Sequence, residues 1–309
     1  MELRQLRYFC AVAETASFSR AANKTHVSQP SLSQQIQKLE QELGVRLFDR
    51  LGRTVRLTEP GRAFLPRARN ILHEVEEASS NIQDTATAIG GSVSLGVIPT
   101  VAPYFLPRRL AVFSRKYPNV RVSVVEEITA LLLEALRAGA VDVAMLALPL
   151  PPRNHEFLSF PVVTEKLFAA LPKRHPLAKR GQVLLEDLRD EPFLLLRDGH
   201  CFRDTALDLC KQARMQPKVV FESGQFSSIL SMVSAGMGIS IVPHMAVENH
   251  RNDCRFVPLN DGQARRTIGA VVLRGRLLTR AQNAFLEQLR AEKSARAKTA
   301  DKAGNPGTG

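Results

Sequence analysis

Two cysteines nine positions apart carry the most specific chemistry in this chain. They are Cys201 and Cys210, in the run LLLRDGHCFRDTALDLC. Asp198-Gly199 is a turn signal, so Cys201 belongs near a helix N-terminus. There the helix dipole, with His200 and Arg203 adjacent in sequence, would favour the thiolate. A thiolate attacks peroxide to give a sulfenic acid, which a second thiol can resolve to a disulfide. Nine helical residues rise about 13.5 Å, whereas a disulfide needs Cα atoms within about 7 Å of one another. The pair can join only if the intervening helix refolds, which would turn an oxidation into a conformational switch. The competing reading is two inert thiols, because free cysteine is commonly a small buried hydrophobe. Cys10 lies on the apolar face of the first helix and reads as core, and Cys254 has no partner pattern. One histidine beside one cysteine, with no C-x-x-C, makes a weak metal site.

A second group of polar residues could read nucleic acid. Ser28, Gln29, Pro30, Ser31, Ser33 and Gln34 open a short helix, the part of a recognition helix that meets base edges in the major groove. Glutamine can read adenine with a bidentate contact, while serine hydroxyls and backbone N–H groups suit phosphates. Arg50, Arg53 and Arg56 follow on a basic hairpin that could reach the flanking backbone or minor groove. On its own, a Ser/Gln-rich helix start could equally be a solvated cap.

The elements that must position these residues are legible. Leu3, Leu6, Phe9, Cys10 and Ala13 recur at helical spacing. Ser17 or Ser19 can cap a second helix to about Thr25, and a tight break follows at His26-Val27. Ser28 caps a third helix with Pro30 in its first turn; Leu32, Ile36, Leu39 and Leu43 carry it to a stop at Gly44. Two short extended pieces around Gly52 make a wing, so residues 1–58 read as a winged helix-turn-helix. Thr58 and Pro60 open a long linker helix over residues 59–91, roughly 45–50 Å if unbroken. Pro66 should kink it. Its narrow apolar seam, from Phe64 to Ile89, fits a homodimer contact better than packing on its own domain.

From Ser92 the pattern alternates strand and helix to residue 292, an α/β effector domain with parallel sheets. Its length suits two lobes, lobe I over about 92–163 and 268–292, lobe II over about 164–267, with a ligand site between them. The strands read as SVSLGVI, RVSVVEE, VDVAMLAL, KLFAALP, PFLLLR, KVVFES, GISIVP and TIGAVVL, and a helix is expected from about Asp204 to Ala213. Residues 293–309 lack apolar periodicity and read as a disordered tail.

Composition agrees. Lys+Arg 42 against Asp+Glu 30 gives a net charge of +12, and residues 1–70 alone carry twelve basic and six acidic side chains. A polyanionic partner is favoured, double-stranded DNA given the helix-turn-helix. No stretch reaches the roughly 18 apolar residues of a membrane span. The start, MELRQLRYFCAVAE, is charged and amphipathic, unlike a signal peptide. The chain reads as soluble and cytoplasmic, without a membrane partner.

The stretch FSRAANKTHVSQPSLSQQIQKLEQELGVRLFDRLGRTVRLTEPG resembles the N-terminal signature of LysR-type transcriptional regulators. The resemblance implies the same winged helix-turn-helix, a dimer through the linker helix, a periplasmic-binding-protein-like effector domain of two lobes, and usually a homotetramer. It implies no cofactor, no metal and no enzyme activity. DGHCFRD with a second cysteine nine positions on, IPTVAPYFLP and RRTIG are similar to the hydrogen-peroxide-sensing members of that family. Carried over by position, Cys201 would be the peroxidatic residue and Cys210 the resolving one. Thr100, Thr129, His200 and Arg266 would line the peroxide pocket, and Phe202 stands where those members usually carry leucine. Hydroxyls and a guanidinium can hold peroxide and stabilise the departing hydroxide. The leading expectation is therefore a peroxide-sensing regulator. The alternative is a regulator of the same build whose cysteines are inert and whose effector is a small organic molecule between the lobes. A thiol peroxidase would share the cysteines but gives no reason for the helix-turn-helix.

Overall fold

A computed structural model describes residues 1–51, 54–83, 89–152, 154–250 and 254–290. Helices α1 (Leu3–Thr15), α2 (Phe18–Lys24) and α3 (Gln29–Leu43) precede a hairpin of β1 (Phe48–Leu51) and β2 (Thr54–Leu57), and α4 (Glu59–Gln83) follows. Capping sets these bounds: the Ser17 hydroxyl accepts from Arg20 N–H and the Ser28 hydroxyl from Ser31 N–H. Gly44 ends α3 at φ 69°, a left-handed turn that suits glycine. Leu6, Phe9, Val12, Leu32, Ile36 and Leu39 form a core in which the Phe9 ring lies 5.3 Å from both Phe48 and Phe64.

The long helix spends the start of its seam within its own chain. Over 25 residues α4 spans about 37 Å, and residues 84–88 lie outside the described part of the chain. Phe64, Leu65, Ala68 and Leu72 pack on the helix-turn-helix core of the same chain, while Ile71 stays 36% exposed. The first half of the seam is thus spent within the domain. Gly61 makes this docking possible, because a Cβ there would lie 2.1 Å from the Leu47 carbonyl oxygen.

The remainder builds two hydrophobic cores. In the first lobe β3 (Gly91–Val97) lies parallel to β4 (Val120–Glu126) and β5 (Val143–Leu148), with α5 (Ala102–Lys116), α6 (Thr129–Arg137) and α10 (residues 280–290). The second lobe carries the parallel pair β7 (Pro192–Leu196) and β8 (Lys218–Ser223), with β9 (Ser240–Pro243) and β10 (Arg255–Pro258). Its helices are α7 (Cys201–Gln212), α8 (Phe226–Ser234) and α9 (His244–Asn249). Two strands join the lobes, β6 (Phe157–Leu171) and β11 (Arg265–Leu273). They pair antiparallel over Leu273↔Phe157 to Arg265↔Lys166, after which β6 continues against β9 and β10.

Three expectations need correction here. The sheets are mixed rather than parallel, because the chain enters the second lobe on β6 and returns on β11 beside it. The strand expected at KLFAALP begins nine residues earlier, at Phe157. Pro161 hid that start, since proline interrupts a strand signal; it is accommodated opposite Gly269, where the register shifts. Finally, α7 begins at Cys201 instead of Asp204, while the short α9 and β10 carry too little periodicity to be foreseen.

Candidate functional site

The first turn of α7 stands between the two cores. Phe202 is buried in the core of the second lobe, whereas Cys201, one residue earlier, packs against the core of the first. Gly199, in the turn before the helix, has φ 89° and lies close to Ile128 at the start of α6. The Cys201 sulfur therefore sits at a junction of lobes, and Thr100, Thr129 and Arg266 approach it from elsewhere in the chain, whereas Cys210 does not.

Arg266 reaches the junction from β11. Its Nη1 donates to the Thr100 hydroxyl at 3.0 Å and its Nη2 to the Thr100 carbonyl at 3.1 Å. Its Nε donates to Glu165 Oε1 at 2.7 Å, and the guanidinium lies 5.0 Å from the Phe202 ring centre. Thr100 follows β3, and Thr129 begins α6. The Thr129 hydroxyl lies beside the Cys201 thiol and favours its ionisation. It meets full hydrogen-bond geometry with no protein group, and neither does His200 Nε2; both atoms are buried. Two buried polar atoms with unused hydrogen-bonding capacity, one of them next to the sulfur, are what a small polar guest would satisfy. His200, 5% exposed, is the N-cap residue of α7.

The expected source of thiolate stabilisation is wrong in two respects. Burial pushes the Cys201 thiol above its ordinary pKa, with Arg266 and then Thr129 pulling back and Asp204 adding to the rise. His200 supplies no positive charge, because burial and the neighbouring Arg197 hold its imidazole below the ordinary value. Arg203 is turned away, its Nε on Asp198 and its Nη1 on Glu222 and the Leu196 carbonyl. The cation that acts on the sulfur is Arg266, which local sequence could not indicate.

Cys210 lies at the other end of α7, 1% exposed in the core of the second lobe, its thiol pushed up to about 11 by burial. Both cysteines are free, and α7 runs unbroken between them. Cys10 is half-buried against the N-terminal core and also raised to about 11. Cys254 is buried and donates to the Leu230 carbonyl at 3.2 Å.

Reasoning from sequence missed Glu165 and Tyr104. Glu165 is 7% exposed on β6, directly across from Arg266, in a stretch with no strand signal. Tyr104 belongs to α5 yet packs on the core of the second lobe, and it borders a cavity of about 380 Å³ between the lobes. Thr100, Glu126, Gln225 and His250 also line that cavity.

At the N-terminal end, Ser28, Gln29, Pro30, Ser31 and Gln34 are exposed at the start of α3, and Ser33 is half-buried. Glu40, further along α3, accepts from the backbone N–H groups of Leu47 and Phe48 at 2.8 and 3.1 Å and so ties the wing to that helix. Arg50 belongs to β1 and Arg56 is exposed on β2, while Arg53 lies outside the described residues. Among the described residues no helix is long and apolar enough to cross a membrane.

Comparisons with known proteins bear on both ends. Residues 3–62 match the bacterial regulatory helix-turn-helix proteins of the lysR family, and residues 86–294 match the LysR substrate binding domain. The hydrogen peroxide-inducible genes activator of Dickeya chrysanthemi is 38% identical over 283 residues, covering 89% of this chain and 92% of that protein. The DNA-binding transcriptional dual regulator OxyR of Escherichia coli K12 is 36% identical over 293 residues, covering 94% and 95%. A full-length OxyR variant from Pseudomonas aeruginosa superposes with a TM-score of 0.79 at 31% identity, covering 94% of this chain and 95% of that one. With the reading helix, the wing and the two lobes all accounted for, the chain belongs to the LysR family of DNA-binding transcriptional regulators.

Proposed function

We propose that this regulator senses hydrogen peroxide at Cys201 and reports it through a disulfide with Cys210. The carrying observation is the Cys201 thiol within the electrostatic reach of Arg266 and next to the Thr129 hydroxyl, with that hydroxyl and His200 Nε2 buried and short of full hydrogen bonds. The similarity to regulators named for peroxide induction supports the same reading. The Cys201 thiolate attacks one peroxide oxygen; the O–O bond breaks and hydroxide departs, taking up a proton to become water. The sulfenic acid then accepts attack by the Cys210 thiolate, an S–S bond forms, and a second water leaves. Thr100, Thr129, His200 and Arg266 form the peroxide pocket, with Arg266 stabilising the departing hydroxide. Because α7 is intact between the cysteines, the second step requires its unwinding and the extraction of Cys210 from the second core. That refolding is the signal.

The output is read by residues 1–58. Ser28, Gln29, Pro30, Ser31, Ser33 and Gln34 meet the major groove, and Arg50 and Arg53 the flanking backbone. The linker, residues 59–91, pairs two copies through the distal part of its seam, and the effector domains, residues 92–292, complete a homotetramer. A thiol count by mass spectrometry, before and after brief low peroxide, tests the reading. A new Cys201–Cys210 disulfide is expected, absent in Cys201→Ser; unchanged thiols at both positions would sink it. The 380 Å³ interlobe cavity favours one second reading, a small organic effector bound there. Under that reading Cys201→Ser leaves the response intact.

A further inference from the structure

We infer that Glu165 is a positioning residue that restrains Cys201 by neutralising Arg266, a role that rests on the peroxide-sensing reading above. Glu165 and Arg266 face each other across β6 and β11, with side chains 5% and 3% exposed. Both carboxylate oxygens are committed: Oε1 accepts from Arg266 Nε at 2.7 Å and Oε2 from Met245 N–H at 2.8 Å. Arg266 would keep its orientation without this partner, since Thr100 holds its other two nitrogens. What Glu165 adds is therefore charge. A carboxylate in contact with a buried guanidinium cancels much of the field that the cation projects, because little water screens the pair.

The charged neighbours are few. Arg266 and Asp204 act on Cys201 with opposite sign, Arg197 acts on His200, and Tyr104 faces Arg266 from α5. Burial sets most of the thiol's reluctance to ionise, and only Arg266 among these charges works against it, so its neutralisation by Glu165 tunes how much of the reactive form exists. The resting sensor is kept slow by a carboxylate that never touches the sulfur. Met245 extends the arrangement: it packs on the first core although α9 belongs to the second lobe. A change of angle between the lobes that draws Met245 away would free Glu165 to move and alter the charge felt at Cys201.

The test compares Glu165→Gln with Glu165→Asp in the full-length protein. Iodoacetamide alkylates Cys201 only as thiolate, which displaces iodide to form a thioether, and the Cys201 peptide is quantified by mass spectrometry across pH. Gln keeps the shape and one acceptor oxygen, gives up the other bond because an amide nitrogen cannot accept, and removes the charge; it should lower the pH midpoint by about one unit, roughly tenfold more thiolate at neutral pH. Oxidation by peroxide at neutral pH should quicken severalfold in the same variant. Asp keeps the charge and should leave the midpoint at its wild-type value. A midpoint unchanged or raised in E165Q overturns the inference, as does an Asp variant shifted as far as Gln, which would mean shape rather than charge. If E165Q fails to fold, Glu165→Met, neutral and of similar length, decides by the same criterion: a lowered midpoint supports the inference and an unchanged or raised one overturns it. Alkylation needs no peroxide, so a wild-type protein indifferent to peroxide would sink the sensing reading and leave this profile to judge Glu165.

Discussion

Ser28, Gln29, Ser31 and Gln34 come from one short run at the start of one helix, whereas Thr100, Thr129, Glu165, Cys201 and Arg266 come from five parts of the chain. The contact between Thr100 and Arg266 spans 166 positions. The reading end is held by local devices: a serine cap, a glycine stop, and the Glu40 carboxylate on the backbone of the wing. The effector end is held by a buried ion pair and by side chains that cross between lobes. Damage to a locally built site should stay local. Damage to a site assembled at a junction should be felt by everything that meets there.

The largest effect is expected from Arg266→Ala. Glu165 would be left buried without its cation, a loss of about 3–5 kcal/mol, seen by hydrogen exchange as loosened protection in both lobes. Residues 3–57 should keep their protection; loss there would break the distinction. Gly61→Ala drives a methyl into the Leu47 carbonyl and should destabilise the reading end by about 1–3 kcal/mol. DNA affinity would fall in titrations, while the alkylation profile of Cys201 stays as in the wild type. The smallest effect is expected from Ser28→Ala, about 1 kcal/mol from the lost cap. It would be confined to the first turn of α3 and measured as a modest drop in melting temperature without any change at Cys201.

The same contrast explains what could be read in advance. Caps at Ser17 and Ser28, the stop at Gly44 and the two-stranded wing follow from neighbours within four or five residues, so the N-terminal elements were legible nearly to the residue. The family signature lies in that stretch too. In the effector domain the alternation of strand and helix was legible, but not the antiparallel return of β11 beside β6, which depends on pairing across the second lobe. The thiolate argument failed for a related reason. Adjacency in sequence suggested His200 and Arg203 as the cations, but burial dominates at Cys201, and Arg203 is engaged by Asp198 and Glu222. Desolvation is a property of what surrounds a side chain in space, and no short motif records it. Arg266 bonds Thr100 at the junction across 166 positions, and Glu165 belongs to no motif and emerges only from the pairing of β6 with β11.

The return of the chain on β11 also sets an order of assembly during synthesis. Everything the N-terminal core needs, including Phe64, Leu65, Ala68 and Leu72 of α4, has been made by Leu72. The first lobe must wait, because β11 lies between β5 and β6 in its sheet, and Phe285, Leu286 and Leu289 near the far end of the chain complete its core. Arg266 follows Leu72 by about 190 residues, on the order of 10–40 s of ribosomal elongation. A newborn chain therefore owns a folded reader well before it owns a complete effector domain, and any product that stops short of Arg266 carries a reader with nothing to instruct it.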